Sequence, residues 1–360
     1  MKKVLLFLFS LLAAYCIFGQ ESFSEKRSLS KAFKISQNTS LEIANKYGDI
    51  IFETWEKDSV KIDVSILVEA KKPDVVDQLM EMAVVEIEKK GSFIIAKTDW
   101  GRNTSFWNKS LNEISRAFGA DQKIQIDYKV FAPDDLNLDI QNKFGDVFLP
   151  AYRGEVILDI SHGDLRCRNL EDPKSVKVSY GKALVDKLNE GMISLEFAEL
   201  RTRIAKNLSL ISRSSEIFID NANSLSLDSR NDELYLGNID RIDGTMHFSS
   251  CEISLLKVSA DLRQSYGSLN VKELAETFTT IKIAPKKSEV VFYTDAAMNY
   301  DFSVYLKSGE EFASVPEQIE ITKDEELEDG RLIEGSWGKS NPAQKLVIQG
   351  ESSIVKIAKL

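Results

Sequence analysis

Leu41-Glu-Ile-Ala-Asn-Lys-Tyr-Gly-Asp-Ile50 returns nearly a hundred residues later as Leu138-Asp-Ile-Gln-Asn-Lys-Phe-Gly-Asp-Val147, with only conservative changes apart from Ala44 against Gln141. The shared core is Asn-Lys-aromatic-Gly-Asp-aliphatic. Its last part, small residue then polar then aliphatic, keeps returning downstream: His162-Gly163-Asp164-Leu165, Tyr180-Gly181-Lys182-Ala183, Phe197-Ala198-Glu199-Leu200, Ser214-Ser215-Glu216-Ile217, Asn231-Asp232-Glu233-Leu234, Ser250-Cys251-Glu252-Ile253, Tyr266-Gly267-Ser268-Leu269 and Lys287-Ser288-Glu289-Val290. The polar position of each copy marks the series Asp146, Asp164, Lys182, Glu199, Glu216, Glu233, Glu252, Ser268 and Glu289. Such a near-constant step over this many copies is the signature of a stacked array.

Between the markers run short alternating apolar segments, such as Val156 to Ile160, Val176-Lys177-Val178, Ile193-Ser194-Leu195, Leu208-Ser209-Leu210, Leu225-Ser226-Leu227 and Ile281-Lys282-Ile283. Period-two alternation marks strands with one buried face, so each period is expected to hold about two strands joined at Gly, Asn, Asp or Ser corners. Stacking such turns in parallel at about 4.8 Å builds a continuous aliphatic ladder that no single rung could bury alone. The expectation is an all-β parallel β-solenoid, a β-helix with about 16–21 residues per rung. It carries a small α+β N-terminal insertion or cap. A β-sandwich also shows regularly spaced short strands, but it has no need for the same side-chain pattern at the full period.

The expected divisions are a signal peptide over 1–20, N-terminal strands with a helical insertion over 21–137, solenoid rungs over 138–295, and C-terminal strands with a closing rung over 296–360. Lys2 and Lys3 precede an apolar run from Val4 to Phe18, broken only by Ser10, and then Gly19-Gln20-Glu21. That order is a secretory signal, with cleavage expected near Gly19 or Gln20. Lipidation at Cys16 would want a small residue where Tyr15 stands, and a retained N-terminal anchor is the other alternative. No later stretch approaches the ~18 apolar residues of a membrane helix, so no transmembrane segment is expected in the mature chain. The chain is therefore placed outside the cytoplasm, in the periplasm, at the outer surface or beyond it.

Within the N-terminal part, Pro73 opens a helical spacing of Val75, Val76, Leu79, Met80 and Ala83. A second stripe, Phe106, Trp107, Leu111, Ile114 and Phe118, interrupts the strand pattern. It is expected to plug the open end of the solenoid, with a partner-binding or membrane-surface helix as the alternative. At the other end Gly350-Glu-Ser-Ser-Ile-Val-Lys-Ile357 reads as the final rung.

The net charge of -10, spread without a Lys/Arg cluster, argues against nucleic acid as a partner. Beyond Cys16, Cys167 and Cys251 fall about five rungs apart, on the order of 24 Å, whereas a disulfide needs Cα atoms within about 7 Å. Two free thiols are expected. His162 and His247 are separated by four to five rungs, without partners for a metal or a triad. The acidic run from Asp324 to Asp329 lacks the internal Gly and ligand offsets of a calcium loop, and the rungs lack the repeated glycines of the calcium β-roll. Asp146, Asp164, Glu199, Glu216, Glu233, Glu252 and Glu289 are expected to form an acidic ladder on one edge, interrupted by Lys182 and Ser268. No catalytic, cofactor-binding or metal-binding residues are assigned, and no cofactor.

The paired Asn-Lys-aromatic-Gly-Asp-aliphatic motifs, the strand-helix-strand insertion before Trp100, the stacked Gly-polar-aliphatic rungs and the Gly350 to Ile357 segment resemble the bacterial putative-adhesin domain family in its Bacteroidetes-type variant. The resemblance covers about residues 38 to 357 and implies a β-solenoid envelope protein that is not an enzyme. It brings no catalytic residues with it. An unknown protein or a surface glycan is the partner it implies. The competing readings are a carbohydrate-active β-helix enzyme, which needs titratable groups converging in a cleft, and a periplasmic scaffold using the Phe106 to Phe118 stripe against a membrane partner.

Overall fold

The computed structural model describes residues 22–100, 122–307, 311–314, 317–341 and 343–360. The signal peptide and the Phe106 to Phe118 stripe expected from the sequence lie outside them.

The chain is an all-β parallel solenoid. Its middle is seven long strands, β9 (Val147–Ser161), β10 (Leu165–Ser179), β11 (Lys182–Glu196), β12 (Glu199–Arg213), β13 (Glu216–Arg230), β14 (Glu233–His247) and β15 (Ser250–Ser265). Each pairs in parallel with the next. The sequence pattern predicts two strands per period, whereas each rung is one unbroken strand bent near its middle. The bend needs no left-handed residue, and backbone pairing passes through it, with local register shifts such as those between Leu170 and Ser175. Only one sharp corner per rung interrupts the ladder.

Inward side chains line up across rungs in register. Val147, Leu165, Ala183, Leu200, Ile217, Leu234, Cys251, Leu269, Val290 and Val355 form one column. Ile140, Leu158, Val176, Ile193, Leu210, Leu227, Gly244, Leu262, Ile283 and Ile348 form another. Apart from Gly244, which has no side chain to bury, all of these are essentially solvent-inaccessible. Burial of each is worth about 1.5–3 kcal/mol for a Val, Leu or Ile side chain. Gly244 takes φ +132 in a place where a Cβ would sit 2.0 Å from the Leu227 carbonyl oxygen.

Register also corrects one repeat. Ser250, not Glu252, aligns with Glu233 and Ser268. The left-handed corner residue of that rung is Phe248, so the copy reads Phe248-Ser249-Ser250-Cys251. Moving the marker from Glu252 to Ser250 evens out the steps on either side of it and tightens the period.

Both ends are built by insertion. At the N-terminal end, the rung of β2 (Ser40–Lys46) and β3 (Ile50–Thr54) lies inside, between β8 (Asn137–Lys143) with β9 and an outer rung made by β6 (Phe93–Trp100) and β7 (Gln122–Ala132). At the other end, β23 (Lys345–Glu351) and β24 (Ile354–Lys359) slot between β17 (Thr280–Lys286) with β18 (Glu289–Thr294) and β19 (Tyr300–Lys307) with β20 (Glu311–Ser314). The Gly350 to Ile357 segment is therefore not the final rung but the one before it, because the chain runs out to the outer rung first and returns.

Antiparallel strands then cover the outer rungs. β4 (Ser59–Ala70) pairs with β7, β1 (Phe23–Lys34) with β4, and β5 (Ala83–Lys90) with β6. β22 (Gly330–Trp337) pairs with β19 and β21 (Ile319–Leu327) with β22. The helix α1 (Pro73–Met82) buries Val76, Leu79 and Met80 and packs on β4, β1 and β5. Covering the end strands in this way removes the templates for edge-to-edge association.

Candidate functional site

The sharp corner of every rung is where sequence, backbone and surface meet. Among the described corners the first residue has positive φ and is not glycine: Tyr47, Phe144, His162, Tyr180, Phe197, Ser214, Asn231, Phe248, Tyr266, Lys287 and Ser352. Its N–H donates to a carbonyl of the adjacent rung, as in His162 N to Ser179 O at 2.9 Å and Phe197 N to Arg213 O at 3.0 Å. The left-handed conformation costs an L-residue about 1–2 kcal/mol, and the inter-rung bonds hold it there.

The next corner residue decides how the stack is wired, and two kinds of corner result. Where it is Gly48, Gly145, Gly163 or Gly181, the backbones approach so closely that a Cβ would lie 2.0–2.1 Å from a carbonyl oxygen of the rung before. After Gly48, Gly145 and Gly163 an Asp follows, and its carboxylate accepts the backbone N–H of the next rung, whereas Lys182 follows Gly181. Asp127 Oδ1 takes Asp49 N, Asp49 Oδ1 takes Asp146 N, Asp146 Oδ1 takes Asp164 N, and Asp164 Oδ1 takes Lys182 N, at 2.8–3.0 Å. Burial pushes the Asp49 carboxyl up, against the lowering effect of the Asp146 N–H and reinforced by the nearby carboxylates of Asp127 and Asp146.

Where the second residue is Ala198, Ser215, Asp232, Ser249, Ser288 or Ser353, its short side chain turns inward and is buried. It then serves the rung behind: Ser215 Oγ accepts from Ala198 N, Asp232 Oδ1 from Ser215 N, Ser249 Oγ from Asp232 N, and Ser353 Oγ from Ser288 N. The following residue no longer needs a short carboxylate. Its N–H reaches the backbone instead, as in Glu199 N to Gly181 O and Glu216 N to Ala198 O, both 3.0 Å. Glu replaces Asp there, freeing the carboxylate to point outward. Asp232 is buried and richly bonded, its Oδ2 accepting from Ser212 Oγ, Ser229 Oγ and Arg230 N at 2.7–2.9 Å.

Three outward columns run along this edge. The first is the corner column, where rings stack rung on rung: Tyr47 on Phe144, Phe144 on His162, His162 on Tyr180 and Tyr180 on Phe197, with centroids 4.8–5.3 Å apart. Ser214 and Asn231 interrupt it, and Phe248 on Tyr266 resumes it at 5.0 Å. Tyr180, Phe197, Phe248 and Tyr266 are each 44–54% exposed.

The second column is the charged one: Asp49, Asp146, Asp164, Lys182, Glu199, Glu216, Glu233, Ser250, Ser268 and Glu289. Glu252 does not belong to it. The predicted ladder of carboxylates is also partly neutralised, because Lys182 bonds Glu199 at 2.8 Å, Arg201 bonds the same carboxylate, and Lys356 bonds Glu289 at 2.8 Å. The Lys182 hydrogen bond holds the Glu199 carboxyl below its usual range, with Arg201 adding to it.

Phe148, Arg166, Leu184, Arg201, Phe218, Tyr235 and Glu252 form the third column. Arg201 lies over Phe218 at 4.0 Å, and Phe218 stacks on Tyr235 at 5.0 Å.

Other places the sequence pointed to are structural. Cys167 and Cys251 are buried, free and in different inward columns, with burial pushing both thiols up to about 12. His162 belongs to the ring stack, while His247 lies on the outer face beside Arg230. Among the described residues no group of three or more His, Cys, Asp or Glu is placed to hold a metal. In a depression of about 590 Å³ by Trp55, Asp134 and Arg153, the Arg153 guanidinium binds Asp134 through two nitrogens at 2.6–2.8 Å. Both faces of Trp55 are taken, by Phe131 and Lys57.

The corner rings stand two residues ahead of the polar positions that sequence reasoning marked. The aromatic character of Tyr47, Phe144, Tyr180 and Tyr266 before their glycines was the available signal.

No protein-family profile and no curated protein matches the chain. Solved structures that resemble it include a "putative adhesin" from Bacteroides fragilis, 11% identical over 92% of this chain and 98% of that one, with a TM-score of 0.30. A "putative adhesin" from Parabacteroides merdae is 11% identical over 92% and 96%, with a TM-score of 0.26. A "putative lipid binding protein" from Parabacteroides distasonis is 14% identical over the same shares, with a TM-score of 0.24.

Proposed function

We propose that the chain is exported and works at the cell envelope as a non-enzymatic adhesion or interaction surface, with the corner edge of the solenoid as its binding face. One observation supports this above the others. The left-handed corner is filled equally well by Ser214, Asn231, Lys287 and Ser352, so the fold does not require rings there. A stacked aromatic pair returns about 0.5–1.5 kcal/mol, which does no more than offset the left-handed backbone. Large rings half-exposed on a regular edge, beside columns of paired and unpaired charges, therefore suit contact with a partner better than stability. Aromatic and Arg side chains are the groups that dominate such contacts.

The enzyme alternative needs carboxylates converging on one point, and the Asp127, Asp49, Asp146, Asp164 series is instead spread one per rung with an oxygen on a backbone amide. The test uses full-length protein expressed with its N-terminus and recovered from the exported fraction. Binding to intact bacterial cells and to immobilised mucin is compared with that of a Tyr180→Ser/Tyr266→Ser variant. The expected result is recovery outside the cytoplasm and a clear loss of binding in the variant at unchanged melting temperature. Retention in the cytoplasm, or no surface binding by the parent chain, would sink the proposal.

A further inference from the structure

The ring stack has two free faces, and they face one another. At one end of the upper stack Tyr47 is only 3% exposed, so its outer face is covered, and at the lower end Lys287 lies over Tyr266 at 5.5 Å. The remaining faces are those of Phe197 and Phe248, turned toward the two ringless rungs of Ser214 and Asn231. Three rung steps of about 4.8 Å set these two ring planes roughly 14 Å apart.

The notch between them is polar at its floor and balanced at its rim. Asn231 Nδ2 donates to Ser214 Oγ at 3.1 Å, so both side chains lie across the floor. On one side stand the exposed carboxylates of Glu216 and Glu233. On the other stand the exposed guanidinium-bearing residues Arg213 and Arg230, paired in register. Beside Phe197, along the charged column, a depression of about 380 Å³ is lined by Asp164, Lys182, Phe197, Glu199, Ser214 and Glu216 among others.

We propose that this notch binds a pyranose ring of a neutral glycan, stacked on the face of Phe197. The assignment rests on the interaction-surface reading above and names its ligand class. A pyranose has an apolar C–H face that gains from covering an exposed ring. Its equatorial hydroxyls each donate and accept, matching a rim that offers carboxylate acceptors on one side and guanidinium donors on the other. The two Glu and two Arg residues cancel in charge, which favours a neutral sugar over a uronate. Because the free faces are perpendicular to the stacking direction, the bound ring lies parallel to the rungs, and the glycan crosses the solenoid edge instead of running along it.

The test is saturation-transfer NMR on the full chain with methyl glucoside, galactoside, mannoside and N-acetylglucosaminide, and with methyl glucuronide. At least one neutral pyranoside is expected to bind. Phe197→Ala is expected to weaken it about tenfold, the loss of one stacking contact, and Phe197→Trp to retain it. Ser214→Phe, which extends the ring stack into the notch at a corner that takes Phe elsewhere, should abolish binding while the melting temperature holds. No binding by any neutral pyranoside, binding of the glucuronide alone, or affinity unchanged in both Phe197→Ala and Ser214→Phe overturns the assignment. If cell-surface binding survives in Ser214→Phe, the notch is wrong and the edge reading stands. If a pyranoside binds but no cell surface does, the notch stands and the adhesion reading falls.

Discussion

At the residue scale the corner glycines and the cysteines make opposite kinds of demand. Gly163 sits where a Cβ would lie 2.0 Å from the carbonyl oxygen of Gly145. Gly163→Ala is expected to cost about 2–3 kcal/mol through forced backbone movement, read as a lowered denaturation midpoint. Ala is tolerated at the equivalent Ala198 only because that rung has abandoned the carboxylate-to-amide wiring of its predecessors. Cys167 and Cys251 ask for nothing but space. With both thiols held near 12 by burial, neither is expected to react with a maleimide at pH 8 in the native chain, and both should react on unfolding, as counted by mass spectrometry.

At the scale of the rung, the buried Asp232 carboxylate organises one corner through Ser212, Ser215, Ser229 and Arg230. Asp232→Ala leaves those donors unpaired and is expected to cost about 3 kcal/mol. Asp232→Asn should cost less but remain destabilising, because with the amide oxygen kept at the three-donor Oδ2 site the NH₂ would confront the Ser215 N–H. A rung near the N-terminal end shows the reverse case. Burial raises the Asp139 carboxyl, and the paired Glu42 on the adjacent rung adds to it. A folded pKa above the unfolded one means the native state holds the proton more tightly, so this residue favours folding at low pH. That contribution is lost as pH rises from about 3.8, the ordinary value, through the elevated one. Asp139→Asn is therefore expected to stabilise the chain modestly at pH 7, by under about 1 kcal/mol, with the gain fading below pH ~4 in parallel urea titrations.

At the scale of the whole molecule, the inserted end rungs couple chain segments that sequence order would keep apart. Removing residues 345–360 deletes the inner neighbours of β19 and β20. The stretch from Tyr300 to Trp337 is then expected to lose amide-exchange protection as a unit, while β9 to β15 keep theirs, because a solenoid rung draws its stability from its neighbours. Deleting β1, which among the described strands pairs with β4 alone, should leave the rest of the stack protected. Equal loss of protection everywhere in either truncation would contradict this modular picture.

The solenoid, the side-chain ladder and the position of nearly every corner were legible in the order of residues, because in-register stacking forces the same residue type to recur at the full period. It was ambiguous where two small polar residues adjoin: Ser249, Ser250 and Glu252 fit the motif in two registers, and the left-handed Phe248 decided between them. The wiring of the two corner types was visible only as an unexplained exchange of Gly-Asp for Ser-Glu. Only the tertiary structure decided which rung sits beside which at the ends, since strand neighbours in space there are not neighbours in the chain. It alone also opened the notch between Phe197 and Phe248. A ring's free face depends on the rungs stacked above and below it, and those lie a full period away along the chain in each direction.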